Sequence, residues 1–411
     1  MKPSEIIDHP FAGAYAKRLG VKTPWQGHLP GPKMEAWRFT PLRTLANTPF
    51  VPASASAEVD VTELPRGVPL IAGAARLVLV NGAYREDLSD ADFGPGVTIS
   101  TAEAFASSSR SPLALLNAAY ASAGVSIDAA GPGLRPIHLV SIGAAGAEPA
   151  AFHPRLRITV APGASLTIIE SHVGLPGQTY FSNPVTEIAL AENANLRRYV
   201  SVAEDSEAFH LATATISIAA GGSLEAFHLG LGGALVRQDI TVRFAGRGAA
   251  ARLNGAYALS GRSHHDFTTV MDHNVPDCRS SQVFKGVADG DSHGVFQGRI
   301  HVARDAQKTD ARQLHKALFL SRGPEIDCKP ELEIYADDVQ CAHGAATGEI
   351  DHDQLFYLMS RGIDPATARS LLVEGFLTEA VDEISVPEVQ ALFRDAIGAW
   401  LKSRDIARAR P

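Results

Sequence analysis

A strand–turn–strand unit recurs through the middle of this chain, and it limits the possible folds more than any other feature. Val160-Ala-Pro-Gly-Ala-Ser-Leu166 resembles Leu190-Ala-Glu-Asn-Ala-Asn-Leu196, and both resemble Ile218-Ala-Ala-Gly-Gly-Ser-Leu224. The leading apolar residues lie 30 and then 28 positions apart, and a looser copy ending its strand at Phe244 and turning through Gly246-Arg-Gly248 follows 26 later. Short runs such as Leu156 to Val160 and Ile240 to Phe244 alternate apolar and polar residues, the period of a strand with one buried face. No helix fits inside the unit. A βαβ unit needs roughly 30 or more residues with its helix, and a propeller blade about 40–45. The period therefore indicates a β-solenoid, whose stacked coils share one continuous core. A β-sandwich with accidental similarity is the alternative.

The ends of the chain read differently. Pro10 opens a short helix through Tyr15 and Leu19 that Gly20 closes, and residues 22–33 are loop. Met34, Trp37, Phe39 and Leu42 form a local hydrophobic anchor, and the prolines at 52, 65 and 69 mark 51–70 as a linker. Beyond Gly348 the spacing becomes helical. Leu355, Leu358 and Met359 share a side, Asp364-Pro365 is an N-cap followed by proline at the first helical position, and a broad stripe runs from Val389 through Leu392, Phe393, Ile397 and Trp400 to Leu401. The predicted organisation is 1–70 helical region and linker, 71–347 solenoid core, and 348–411 helical domain. So few residues in the last domain leave part of the final stripe for a partner protein.

Apolar residues make up 45% of the 411, enough for a large core, and charged residues only 20%, which argues against disorder. The net charge of −8 gives no bulk attraction to nucleic acid or an anionic membrane. No apolar run reaches the ~18 residues of a membrane span, and the N-terminus lacks the apolar stretch of a secretory signal. Three dispersed cysteines, Cys278, Cys328 and Cys341, suit a reducing cytoplasm rather than a disulfide framework.

Most catalytic motifs are absent. No Gly-Lys dipeptide exists, so there is no Walker A loop, and the glycines at 230, 232 and 233 do not complete a dinucleotide fingerprint. Gly290-Asp-Ser-His-Gly294 matches the letters of a nucleophile elbow, but Ser292 is followed by a β-like run and not a helix, so the match is accidental. Neither Cys-x-x-Cys nor His-Glu-x-x-His occurs, and a conventional zinc site is unsupported. Residues 264–315 are rich in histidine, but His264 and His265 are adjacent and would point to opposite faces of a strand. Asp337 and Asp338 are separated by the same alternation. Cys341-Ala-His343 is better placed: residues i and i+2 share a face, so a thiolate and an imidazole reach one borderline metal such as iron, with other ligands from a second chain or sulfide.

A longer set of motifs carries a resemblance. Gly294-Val-Phe-Gln-Gly-Arg-Ile-His-Val302, Ala306-Gln-Lys-Thr-Asp-Ala-Arg-Gln313, the run from Ile326 to Val339, Cys341-Ala-His-Gly344 and Gln354-Leu-Phe-Tyr-Leu-Met-Ser-Arg-Gly-Ile363 follow in order. Together they resemble the SufB/SufD family of iron–sulfur cluster assembly proteins, most strongly over about 260–380, and its SufD branch more than its SufB branch. The resemblance implies a right-handed parallel β-helix flanked by N- and C-terminal helical regions. It implies a non-catalytic subunit that pairs with a SufB-like scaffold subunit, or with itself when isolated, and docks a SufC-like ABC-type ATPase on its C-terminal helices. Phe376, Leu392, Phe393 and Trp400 are the candidate docking residues. The family's Cys-x-His-Gly motif maps onto Cys341 and His343, implying a share in building a transient cluster at the partner interface. No cofactor is then expected to be held tightly by this chain alone, and the resemblance leaves room for a flavin in the assembled complex. The competing reading is a cytosolic β-helix carbohydrate-active enzyme, which calls for clustered acids along one groove.

Overall fold

The structure is a computed structural model that describes residues 10–11, 14–20, 27–59, 71–102, 105, 107–121 and 123–403. The chain winds between two long sheets. A front sheet ends on the strand Glu325–Ile334 and a back sheet on Gln340–Glu349, and from residue 124 onward neighbours along both stacks are parallel. This is a parallel β-solenoid of about eight turns.

The repeat residues stack as expected. Val160 is in register with Leu190, Leu190 with Ile218, and Ile218 with Phe244. The column continues through His273 and Val302 to Ile334. Across the turn, Leu166, Leu196, Leu224 and Ala251 form a second column on the back sheet. All of these but Ile334 are buried, and they fill the space between the sheets. Each coil buries half a face alone and a whole one when stacked, which is why the unit repeats.

The Gly and Asn of the repeat have a backbone cause. Gly163, Asn193, Gly221, Gly248, Asp277 and Lys308 all have positive φ, between 55° and 72°. Each donates its amide to the next coil: Gly163 to Glu192 O, Asn193 to Ala220 O, Gly221 to Arg247 O, and so on to Lys308 and Asp338 O. One corner of the solenoid is thus a ladder of left-handed residues, a conformation that costs glycine little and asparagine or aspartate less than other side chains.

Several expectations from sequence are corrected here. Residues 51–52 do more than link: Val51–Pro52 forms a short parallel strand on Ala150–Ala151, while 60–70 lie outside the described residues. The first described helix, α1, is Ala14–Arg18, with Pro10 in a turn before it. The anchor holds in part, since Trp37 and Leu42 are buried but Met34 is 45% exposed. Trp37 stacks on the guanidinium of Arg237, which bonds Asp266 and Asp239, and Thr40 donates to Asp266 as well. With α2 (Arg43–Asn47), the N-terminal segment covers the outer face of the front sheet at Phe209, Leu211 and Leu235. A helix inside the β region was also missed: α3, Pro112–Tyr120, is capped by Ser111 Oγ, which accepts from the Ala114 amide. Its Ser-Pro start is a helix signal.

Three helices close the chain: α4, His352–Ser360; α5, Pro365–Val381; and α6, Pro387–Ser403. Asp364 caps α5 as its place before Pro365 indicated, and Asp351 caps α4, which sequence alone had not singled out. Helices α5 and α6 pack on the outer face of the back sheet at Tyr199, Phe227, Ala256 and Val287. Lys285 ties α5 down by an ion pair with Glu379, its ammonium 4.7 Å from the centre of the Phe376 ring. Among the described residues, no helix is long and apolar enough to cross a membrane.

Candidate functional site at the open end of the solenoid

Among the described residues, no element caps the last coil. Glu325–Ile334 and Gln340–Glu349 are the last strands of their sheets, each paired on one side only among the described residues. Ile326, Cys328, Leu332, Val339 and Cys341, which face the core, are consequently half-buried rather than sealed.

The hydrogen-bonding parity of each edge follows from one bond. The Gln340 amide donates to Thr309 O, so the amides and carbonyls of even-numbered residues face the neighbouring strand. Those of 341, 343, 345 and 347 face outward. On the other edge the Glu325 amide donates to Ser292 O, which places Pro330 at an outward position where its missing N–H breaks no ladder bond. Proline and the charged Lys329 and Glu331 blunt that edge. The strand Gln340–Glu349 is composed instead of small residues from Cys341 to Gly348 with one imidazole, and it has neither proline nor internal charge. It is the more open of the two edges.

Cys341 and His343 share a face on this strand, as their spacing indicated. Cys341 is in register with buried Ala311, and His343 with buried Gln313. Gln313 donates Nε2 to Gly298 O at 3.2 Å, and its Oε1 has no partner among the described residues. Below them His315 bonds Tyr257 Oη at 2.9 Å and stacks on Phe296. His343 is exposed, while burial pushes the Cys341 thiol up from its ordinary value. A metal or sulfur species that takes up Cys341 must therefore displace a proton. Sequence reasoning passed over Cys328, which faces the core on the companion strand, its thiol pushed up to about 11 by burial. The Ile326–Val339 motif contained it, but no spacing marked it.

The other sequence candidates are not brought to this site. Ser292 lies in a turn before the strand His293–Val302, so the elbow match is accidental. Asp337 and Asp338 sit in an exposed turn, Asp338 paired with Lys308. His264 and His265 do diverge: His264 meets Thr40 Oγ1 at 3.1 Å, whereas His265 bonds Gly232 O at 3.0 Å. The four proposed docking residues are a correction. Leu392, Phe393 and Trp400 are buried and Phe376 partly so, all packed in the chain's own core, with Phe393 centred 5.7 Å from Phe227. The stripe is wide because two surfaces, sheet and neighbouring helix, need it. The large apolar residues left exposed near the C-terminus are Phe356, Tyr357 and Met359 of α4 and Leu371 of α5.

Residues 142–376 match the family model described as the SufBD core domain of SUF-system iron–sulfur cluster assembly. The chain belongs to the SufBD family. It is 32% identical over 370 residues to iron–sulfur cluster assembly protein SufD of Escherichia coli, covering 87% of this chain and 85% of that one. It is 31% identical over 394 residues to a SufBD family protein of Synechocystis, covering 90% and 87%. A SufBD family protein of Mycobacterium tuberculosis is 30% identical over 379 residues, at 90% and 88%. This SufD-like chain is therefore an iron–sulfur cluster assembly protein of the SUF system, and its solenoid is the SufBD core.

Proposed function

We propose that this SufD-like chain is a non-catalytic subunit that supplies one side of a cluster-building seam. The observation that carries this reading is the open strand Gln340–Glu349, which presents unpaired backbone and His343 on the same ten residues. An exposed edge of small residues is a template for another strand. A SufB-like scaffold subunit, or a second copy of this chain when it is alone, would add its own edge there. His343, with Cys341 beside it, then meets ligands from the partner. Imidazole and thiolate suit iron, and the nascent cluster is cargo, not a resident cofactor. A carbohydrate-active site has less support, because the adjacent acids Asp337 and Asp338 lie in an exposed turn.

Ala345→Pro tests the pairing. Position 345 faces outward, so proline there removes a donor that the isolated chain does not use while the inner ladder persists. The expected result is loss of association with the partner, or of self-association, by sedimentation, with a thermal midpoint close to wild type. Undiminished pairing would place the interface elsewhere.

The exposed cluster of Phe356, Tyr357, Met359 and Leu371 is the proposed contact for a SufC-like ATPase, in place of the buried stripe. Aromatic anchors of this kind dominate interface energy. Replacing Phe356 and Tyr357 together by alanine is expected to weaken ATPase binding by about 30-fold or more, the equivalent of ~2 kcal/mol. Binding within twofold of wild type, measured by calorimetry, would remove this surface from consideration. Deleting the helices is the poorer test, since it would strip the apolar face of the back sheet.

A further inference from the structure

We propose that the interior of the solenoid contains a binding site for a borderline divalent transition metal, Fe²⁺ or Zn²⁺, formed by His172, Glu204 and His210. His172 is on the back-sheet strand Ser165–Gly174, Glu204 follows the strand Asn195–Ala203, and His210 is on the front-sheet strand Phe209–Ile218. Each presents one ligand atom within 4.8 Å of the others'. The three are 7%, 5% and 0% exposed. His210 Nδ1 is 3.1 Å from Glu204 Oε1, and the His172 and His210 rings meet edge-on at 4.8 Å.

Other buried imidazoles in this chain also keep a nitrogen unpartnered among the described residues; what sets this group apart is that three ligand atoms converge within 4.8 Å beside an unbalanced carboxylate. Each member keeps a buried polar atom with no partner among the described residues: His172 Nδ1, Glu204 Oε2 and His210 Nε2. Such atoms are rare in folded proteins unless a water or ion satisfies them. The charges are also unbalanced. Glu170 is matched by Arg198, whose Nε and Nη2 bond its two oxygens at 2.6 and 2.9 Å. Glu204 has no such cation; among the described residues its ion partner is His210. A dication between the imidazoles would balance it.

The donor set selects the ion. Two imidazole nitrogens and one carboxylate oxygen, with positions left open, suit Fe²⁺ or Zn²⁺ and not the all-oxygen shells of Ca²⁺ or Mg²⁺. Donors bound at ~2.1 Å stand at most about 4.2 Å apart, so the widest pair here needs to close by about half an ångström. Glu170, 3.7 Å from His172 Nε2, is placed to orient that ring from behind. There is a way in. Glu204 lines a cleft of about 1180 Å³ whose wall also carries Asp205, Glu207 and His265, with Arg262 its one arginine or lysine among the described residues. The site is independent of the seam: six strand steps separate Ser165–Gly174 from Gln340–Glu349, roughly 29 Å at the usual strand spacing.

Titrating the chelator-stripped full-length chain with Co²⁺ under anaerobic conditions tests the proposal. The expected result is one equivalent bound, with visible bands of a nitrogen–oxygen site that Zn²⁺ abolishes and Fe²⁺ competes for. Glu204→Gln, nearly isosteric, and His172→Gln are each expected to weaken binding at least about 100-fold, whereas the His343→Ala, Cys341→Ala double variant binds as wild type. Absence of stoichiometric binding by the wild-type chain would overturn the proposal whether or not the variants fold. So would unchanged affinity in a folded Glu204→Gln chain, or loss of the bands in the seam variant.

Discussion

Lowering the pH from 7 to 5 is expected to unfold this chain. Five buried histidines carry the effect. Burial is the first cause of a lowered pKa at each, down to about 4 for His138, His273 and His315 and about 3 for His153 and His265. Each has a neutral partner: Ser171, Ser280, Tyr257, Asn183 and Gly232 O respectively. In the unfolded chain these imidazoles return to about 6.5. The unfolded state therefore takes up protons first, and stability that is complete above that value is lost as pH falls toward the folded-state values. At pH 5 each site has cost about 2 kcal/mol, so five cost about 10 kcal/mol, comparable to the whole 5–15 kcal/mol of a typical domain. Glu170 adds nothing in this window. Burial alone would raise its pKa, but the charge of Arg198 and its bonds, with His172, outweigh that and hold it at about 2, so its contribution fades only below its unfolded value near 4.5. Thermal midpoints recorded by circular dichroism every half pH unit check this. A midpoint constant from pH 7 to 5 would show that the histidines remain solvated.

His343→Ala is expected to abolish cluster build-up on the assembled complex while leaving the chain folded. The imidazole is exposed on an edge strand, and its removal opens no cavity, so the stability change should stay within about 0.5 kcal/mol. Its chemical loss is larger, because a seam missing one ligand cannot complete the coordination of iron. Cys341→Ala should lower the yield less, since that thiol is half-buried against Ala311 and protonated in the isolated chain. Reconstitution with iron and sulfide, followed by visible absorption, distinguishes the two. Wild-type yield from His343→Ala would reduce the residue to an ordinary edge histidine.

The solenoid was legible because its turn chemistry repeats. Gly163, Asn193 and Gly221 announce a left-handed corner, and the apolar residues three positions before them announce the column. The last coils were harder to read for the same reason. Asp277 and Lys308 hold that corner without glycine, and His273 takes a core position that sequence treats as polar, stacked 4.0 Å from Phe244. Helix α4 was readable from the spacing of Leu355, Leu358 and Met359, and α5 from its cap at Asp364. What their apolar residues touch was not, because a helical stripe states that a face is covered and not by what. Trp400 and Phe393 are covered by the chain itself. Cys341 and His343 could be placed on one face by alternation alone. The His172, Glu204 and His210 group had no local signal: His172 and His210 are 38 residues apart and meet only because the coils bring the two sheets together.

We place the seam at the strand Gln340–Glu349. Hydrogen exchange resolved to single amides, compared between dilute monomer and the complex with a SufB-like subunit, tests it most directly. The amides of Cys341, His343, Ala345 and Thr347 face outward and should exchange freely in the monomer, whereas those of Ala342, Gly344 and Ala346 are held by the inner ladder. On assembly the first set is expected to become protected by at least about 100-fold, as donors in a new strand pair are. Exchange at 341, 343, 345 and 347 that stays fast in the complex, with protection appearing on another surface, would contradict it.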